Sequence, residues 1–245
     1  MIPRLLVSVR NVQEAQTVLQ VGCAVVDVKE PDRGPLGMAS LEVCRDVADA
    51  VARWNSESLN RCAVSLALGD APDWRFERKP VDLPEVDYIK LGTAGLADVD
   101  WPTCWSGAIS AVHVAANTQK VIVAYADWQS ARAPSPNAVA FHAAELGCRG
   151  MLIDTWDKSG RTILDCLSRE MLTNISSAVK ARGLWFAIAG GLGIKDLTKV
   201  AAIQPDIIGI RGAACLGRRR TDVIDADALR TFREALRQTK SDPRN

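Results

Sequence analysis

The chain has 245 residues, of which 48% are hydrophobic and 24% charged, and its formal net charge at pH 7 is +1. A nearly neutral protein has no field to attract nucleic acid or a membrane surface, and no apolar run is long enough to span a bilayer. Seven cysteines without C-x-x-C spacing argue against a disulfide framework and a structural zinc site. With no signal-peptide pattern, we expect reduced thiols in a cytoplasmic protein.

The apolar pattern predicts eight strands, each a nearly continuous apolar run. They are expected at residues 4–9, 23–31, 61–69, 86–92, 120–127, 150–155, 184–190 and 206–212. Apolar spacing and capping residues predict helices between and after them. These are expected at residues 11–20, 40–54, 103–117, 135–147, 165–182, 194–202 and 225–238. Residues 70–85 contain three prolines, so we expect an irregular connection there.

Eight buried strands that alternate with helices indicate parallel strands in an α/β fold. The count of eight at this length favours a closed (β/α)8 TIM barrel, which we expect as a single domain over residues 1–240. A short polar tail is expected at residues 241–245. No Gly-x-Gly-x-x-Gly follows the first strand, which disfavours a dinucleotide-binding fold.

The second predicted strand carries two charges, Asp27 and Lys29, in an otherwise apolar run. Because side chains alternate along a strand, both charges lie on the same face. An unpaired buried charge is costly, so the pair requires an explanation. One interpretation is a structural ion pair. The other is an amine whose pKa is lowered in a partly desolvated pocket, so that it can attack a carbonyl and form a Schiff base.

Further charged residues stand where predicted strands end, the end at which barrels of this kind carry out chemistry. They are Lys90, Asp127, Asp154 and Arg211, with Lys158 just past the sixth strand. We therefore expect one shared polar site, in which several cations suit a phosphorylated substrate and lower one another's pKa. Two alternatives stay open: Lys90 could be a structural partner of Asp27 or Asp154, and Asp127 could cap the next helix. The only histidines, His113 and His142, fall on predicted helices, so histidine catalysis and histidine metal sites are not expected.

A glycine-rich loop follows the seventh strand and leads into a predicted helix. Gly190, Gly191 and Gly193 expose backbone N–H groups there, and a helix N-terminus adds positive potential. With Arg211 and Gly212 after the eighth strand, the loop occupies the place where barrels commonly bind phosphate. The alternative is a simple tight turn. The run Arg218–Arg220 is interpreted as a solvated face, although it could reach a phosphate.

Several of these segments resemble, in the same order over nearly the whole chain, the (5-formylfuran-3-yl)methyl phosphate synthase family of methanofuran biosynthesis. The resemblance is carried by Val26-Asp-Val-Lys-Glu-Pro31, Tyr88-Ile-Lys-Leu-Gly92, Leu152-Ile-Asp-Thr155 with Lys158, and Ile210-Arg-Gly-Ala-Ala-Cys215. It implies a TIM-barrel lyase that condenses two molecules of glyceraldehyde 3-phosphate into a phosphorylated furan aldehyde, with loss of phosphate and water.

The resemblance also implies roles for residues. Lys29 would form the Schiff base and Lys90 would accept a proton, while Asp27, Asp154 and Lys158 match other active-site positions. It implies neither a metal nor a redox cofactor. Two rival functions are a Schiff-base aldolase for another phosphosugar and a non-catalytic barrel that binds a phosphorylated metabolite. The sequence leaves the oligomeric state open, a homo-oligomer included.

Overall fold

The computed structural model describes residues 2–74 and 81–239, and these form the predicted closed barrel of eight parallel strands. The strands are β1 Arg4–Val9, β2 Val25–Val28, β3 Ala63–Asp70, β4 Tyr88–Gly92, β5 Gln119–Tyr125, β6 Gly150–Asp154, β7 Trp185–Ile188 and β8 Ile207–Ile210. Each strand pairs with the next along the chain, and β8 pairs with β1 to close the barrel. Parallel strands place all their carboxyl ends at the same end of the barrel.

Helices cover the outside of the barrel. They are α1 Val12–Val21, α2 Leu41–Glu57, α3 Trp101–Ser110, α4 Pro136–His142, α5 Ile163–Cys166, α6 Arg169–Lys180, α7 Leu197–Ala201 and α8 Ala226–Gln238. Five of them begin at a side chain that accepts a hydrogen bond from a backbone N–H of the first turn: Asn11, Ser40, Ser135, Ser168 and Asp225. None of the helices in the described ranges is both long and apolar enough to cross a bilayer.

Four helix predictions are wrong in detail. The helix expected over residues 135–147 ends at His142. The helix expected over residues 103–117 ends at Ser110, and Val112–His113 pairs with Val81–Asp82 in a small separate sheet, so His113 is not helical. The helix expected over 165–182 is two helices, because Ser168 caps a new one. The helix expected over 194–202 begins as a 3-10 turn.

The predicted irregular connection at residues 70–85 starts with a 3-10 turn, Ala71–Trp74. Its residues 75–80, like the predicted tail at 241–245, lie outside the described residues.

The hydrophobic core has two parts. The larger fills the space between the strands and the helices. The smaller fills the interior of the barrel with side chains such as Leu6, Val25, Val121 and Leu152. Beyond these side chains, toward the carboxyl ends of the strands, the side chains inside the barrel become polar. This change of polarity locates the candidate site.

Candidate active site

A cavity of about 450 Å³ opens at the carboxyl ends of the strands. It brings together five of the predicted catalytic residues, which line its wall: Asp27, Lys29, Lys90, Asp154 and Lys158. These residues come from β2, β4, β6 and the loops that follow β2 and β6. The structure thus brings these five side chains together at the carboxyl end of the barrel.

Lys29 lies one residue beyond β2, with only 9% of its surface exposed. Its Nζ donates one long hydrogen bond, 3.3 Å, to the carbonyl oxygen of Pro35 in the loop above. Burial lowers the pKa of Lys29 to about 7, against the opposing effect of the carboxylates of Asp154 and Asp27. A large fraction of this amine is thus neutral at neutral pH, the form that can attack a carbonyl.

Asp27 pairs with Lys90 rather than with Lys29. The Nζ atom of Lys90 lies 2.7 Å from Asp27 Oδ1, and both side chains are almost fully buried. Among the described residues Oδ1 has this ion pair but no hydrogen bond, whereas Ser8 Oγ donates a hydrogen bond of 2.9 Å to Oδ2. Of the two interpretations of the charged strand, an ion pair thus exists, but it joins Asp27 to Lys90 and leaves Lys29 without a direct carboxylate partner.

Asp154 and Lys158 form a second ion pair in the cavity. Lys158 Nζ lies 2.8 Å from Asp154 Oδ1 and also donates to Thr155 Oγ1 at 3.1 Å. Burial alone would raise the pKa of Asp154, but Lys158 and Lys29 outweigh it and the pKa is lowered. Asp154 is therefore an ionised carboxylate within the electrostatic reach of Lys29.

Asp127 does not line the cavity. Its two carboxylate oxygens accept hydrogen bonds from the backbone N–H groups of Trp156 (2.7 Å) and Asp157 (2.8 Å). It does not cap the next helix either, since Ser135 does so. Asp127 instead fixes the loop that carries Lys158, so the structure does not support a direct catalytic role.

The backbone of the glycine loop after β7 lies closer to its neighbours than a residue with a Cβ would allow. Gly190 and Gly191 have φ values of +108° and +66°, and a Cβ on Gly190 would lie 3.0 Å from Cγ2 of Thr155. Both glycines and Gly212 line the cavity. Within residues 2–74 and 81–239, their N–H groups donate to no other group. These three N–H groups are therefore free to bind an anion such as the expected phosphate.

Gly193 differs from the other glycines of the predicted phosphate site. Its N–H donates to Asp196 Oδ2 at 2.9 Å, so it has no donor left for a phosphate. The segment that follows is a 3-10 turn and then the five-residue helix α7, too short for the helix dipole that the sequence suggested.

Arg211 was expected to hold phosphate, but its side chain is fully occupied. All five guanidinium N–H donors are used: by both carboxylate oxygens of Glu14 and by the carbonyl oxygens of Ser8, Arg220 and Asp222. Arg211 and Glu14 are both buried, with Nη1 and Oε2 2.8 Å apart. Arg211 therefore connects α1 to the loop after β8 through its hydrogen bonds. Sequence reasoning missed Glu14 because an acidic residue in the first turn of a helix is ordinary.

The run Arg218–Arg220 lines the cavity, as does Arg161 after β6. Arg218 and Arg219 are both exposed, as the solvated-face interpretation expects, and the side chain of Arg219 pairs with Asp222. Arg220 is only partly exposed, and the position of all three at the cavity fits the alternative that the run reaches a phosphate. Their position could have been anticipated only from their closeness to β8, the strand after which barrels bind phosphate.

The arrangement suits carbonyl chemistry on a phosphorylated substrate. It combines a lysine that is partly neutral at pH 7, two lysine–carboxylate pairs for proton transfer and a cradle of free N–H groups. Among the residues that the structure describes, no three His, Cys, Asp or Glu side chains are grouped so as to hold a metal ion.

Comparison with known proteins identifies relatives over nearly the full chain. The profile of the 4-HFC-P synthase family matches residues 5–233. The (5-formylfuran-3-yl)methyl phosphate synthase of Methanothermobacter thermautotrophicus is 33% identical over 241 residues, which cover 95% of this chain and 98% of that protein. A synthase of the same name from Methanopyrus kandleri is 32% identical over 246 residues and covers 96% and 99%.

Solved structures share the fold at much lower identity. Thiamine phosphate pyrophosphorylase from Pyrococcus furiosus superposes with a TM-score of 0.60 at 13% identity, covering 97% of this chain and 96% of that one. The 3-hexulose-6-phosphate synthase from Salmonella typhimurium gives a TM-score of 0.56 at 15% identity, covering 96% and 99%. At these identities the likeness concerns the barrel alone.

Proposed function

This chain belongs to the 4-HFC-P synthase family, and from that premise we propose that it makes (5-formylfuran-3-yl)methyl phosphate for a methanofuran-type cofactor. The substrates are two molecules of glyceraldehyde 3-phosphate. Balance of atoms then requires the release of one phosphate and two water molecules. A cytoplasmic location and a small phosphorylated aldehyde as substrate, with neither nucleic acid nor a membrane as partner, are part of the same proposal.

The observation that carries the proposal is the buried amine of Lys29, with a pKa of about 7, in a cavity that glycines with free N–H groups also line. The neutral amine adds to the aldehyde carbon of the first substrate, and loss of water gives an iminium. The iminium draws electrons from the neighbouring carbon, whose proton becomes removable. The resulting carbon nucleophile attacks the aldehyde of the second substrate.

The two lysine–carboxylate pairs are the candidates for proton transfer. Lys90, whose Nζ lies 2.7 Å from Asp27 Oδ1, is the candidate to accept the proton from carbon. Asp154 and Lys158 are the candidates for the later transfers, in which phosphate and water leave and the ring closes. The free N–H groups of Gly190, Gly191 and Gly212 support binding of a substrate phosphate.

The test is the intact mass of wild type and Lys29→Ala after incubation with glyceraldehyde 3-phosphate and borohydride, with the released products analysed alongside. We expect a substrate-sized adduct in wild type that is absent from the variant, together with a furan aldehyde phosphate from wild type only. Lys29→Arg, which keeps a cation but cannot form an imine, is the matched control for charge and should also lack the adduct.

An adduct without furan would replace the proposal with a Schiff-base aldolase for another phosphosugar. No adduct in wild type would reduce Lys29 to an electrostatic role and refute the mechanism.

A further inference from the structure

Arg220 enters the cavity from the loop after β8 and is held by the loop after β2. Its Nη2 donates to the carbonyl oxygens of Pro31 (3.0 Å) and Gly34 (2.8 Å). Burial lowers the pKa of this guanidinium, and the carboxylate of Asp154 opposes that shift, so the two side chains face the same cavity. Nε and Nη1 donate to no group in the described part of the chain, which leaves their N–H donors for a ligand.

Arg218 lies in the same loop but contacts the glycine loop after β7. A Cβ on Gly193 would come within 2.7 Å of Arg218 Nη2, so the guanidinium lies directly against that loop. The φ angle of Arg218 is +62°, a left-handed conformation that is unfavourable for a residue with a Cβ. Among the described residues its guanidinium has neither a hydrogen bond nor an ion pair. A cation without an ion pair therefore lies against the loop that carries the free N–H groups of Gly190 and Gly191, and all three residues line the same cavity.

The segment Leu216–Asp222, here the arginine segment, is fixed in place without a ligand. Arg211 donates hydrogen bonds to the carbonyl oxygens of Arg220 and Asp222, and Glu14 binds two further donors of Arg211. The side chains of Arg218 and Arg220 are thus carried by a backbone that is tied to the barrel, and they diverge toward different loops. This is the arrangement that preorganised anion binding requires.

We propose that the cavity contains two phosphate subsites, each with one arginine of the arginine segment. Arg218 completes the cradle of Gly190, Gly191 and Gly212, and Arg220 forms a second subsite against the loop that follows Lys29. The inference rests on the proposed function, in which two phosphorylated aldehydes occupy the cavity together. The cradle subsite binds the phosphate of the substrate on Lys29, and the Arg220 subsite binds the phosphate of the incoming aldehyde.

The balance of charge in the cavity supports this assignment. Each phosphate monoester carries a charge of roughly −1.5 to −2 near pH 7. Lys90 and Lys158 are already paired with carboxylates, and Lys29 is partly neutral at that pH. The positive charge left for two phosphates is therefore that of the arginines.

The first experiment counts binding sites with glycerol 3-phosphate, which has no carbonyl group and cannot form an imine. Calorimetric titration of wild type should show two equivalents bound. Arg218→Met and Arg220→Met should each retain one equivalent and weaken the other by roughly tenfold or more, and the double variant should lose both. Arg219→Met removes an exposed arginine of the same segment that pairs with Asp222, and this matched control should still bind two.

A second readout separates binding from support of the β2 loop, which Arg220 also contacts. Borohydride trapping of unphosphorylated glyceraldehyde on Lys29 uses neither subsite, so Arg220→Met should match the wild-type rate. With glyceraldehyde 3-phosphate, the same variant should form the single adduct at wild-type concentrations but need roughly tenfold more substrate to make furan. Arg220→Lys, which keeps the charge, should recover part of that loss.

Three results would overturn the inference: one equivalent bound by wild type, a double variant no weaker than either single variant, or slower glyceraldehyde trapping in Arg220→Met. If wild type binds two equivalents but makes no furan, the proposed function is refuted. The inference of two subsites is then still supported.

Discussion

The two sides of the barrel mouth have similar polar residues and use them differently. On the cavity side, Lys29 makes a single long hydrogen bond and the glycine N–H groups are free. On the other side, at the ends of β3, β4 and β5, the polar groups bind one another or the backbone. Asp70 Oδ1 accepts from Tyr125 Oη at 2.8 Å and from the N–H of Ala94 at 2.9 Å, and Thr93 donates to a strand carbonyl.

The difference shows that a polar residue at a strand end is not enough to make a functional site. Burial raises the pKa of both Asp70 and Tyr125, yet neither lines the cavity and their hydrogen bonds are satisfied within the fold. What distinguishes the cavity side is that some of its hydrogen-bonding groups have no partner within the fold. A ligand can use only groups whose hydrogen bonds the fold has not already taken.

The largest effect is expected from Lys90→Met on the cavity side. It leaves Asp27 buried without its cation, which should cost about 3–5 kcal/mol of stability. Loss of the proton acceptor should lower turnover roughly 10²- to 10⁴-fold. Urea unfolding and furan formation measure the two effects. The double variant Asp27→Asn/Lys90→Met should regain most of the stability and none of the turnover; recovered turnover would show that the pair is only structural.

An intermediate effect is expected from pH acting on Lys29. Because its pKa is lowered to about 7, the rate of imine trapping should rise about tenfold per pH unit below pH 7 and level off above it. The unfolded lysine titrates at about 10.4, so between these values the unfolded chain binds more protons and wild-type stability falls as pH falls.

Lys29→Met removes that dependence. Its melting temperature should exceed that of wild type most below pH 7, and the gap should close as pH rises toward about 10.4. A gap that is independent of pH would contradict a lowered pKa at Lys29.

The smallest effect on turnover is expected on the other side of the mouth. Asp127→Asn and Asp70→Asn should each change turnover less than about tenfold, because neither side chain lines the cavity. Asp154→Asn is the matched change on the cavity side and should lower turnover at least about 100-fold. Steady-state furan formation, with melting temperatures as the control for folding, gives the comparison. A loss in Asp127→Asn as large as that in Asp154→Asn would return Asp127 to the catalytic residues.

The sequence by itself determined the barrel and much of the cavity wall. Continuous apolar runs specify buried parallel strands locally, and the end of each run specifies which residues reach the carboxyl end of the barrel. Lys29, Lys90, Asp154 and Lys158 were found in this way. Asn11 and Ser40 likewise located the starts of α1 and α2, because a cap acts within one turn of the helix.

Only the tertiary structure decided which groups remain free for a ligand. Alternation assigns Asp27 to a face of its strand, but its contact with Lys90 depends on how the barrel closes. Arg211 is bound by Glu14, 197 positions earlier in the chain, and that contact removes Arg211 from the cations available to a ligand. Strand periodicity is a local property, whereas the partner of a buried donor is set by elements that only the closed fold brings together.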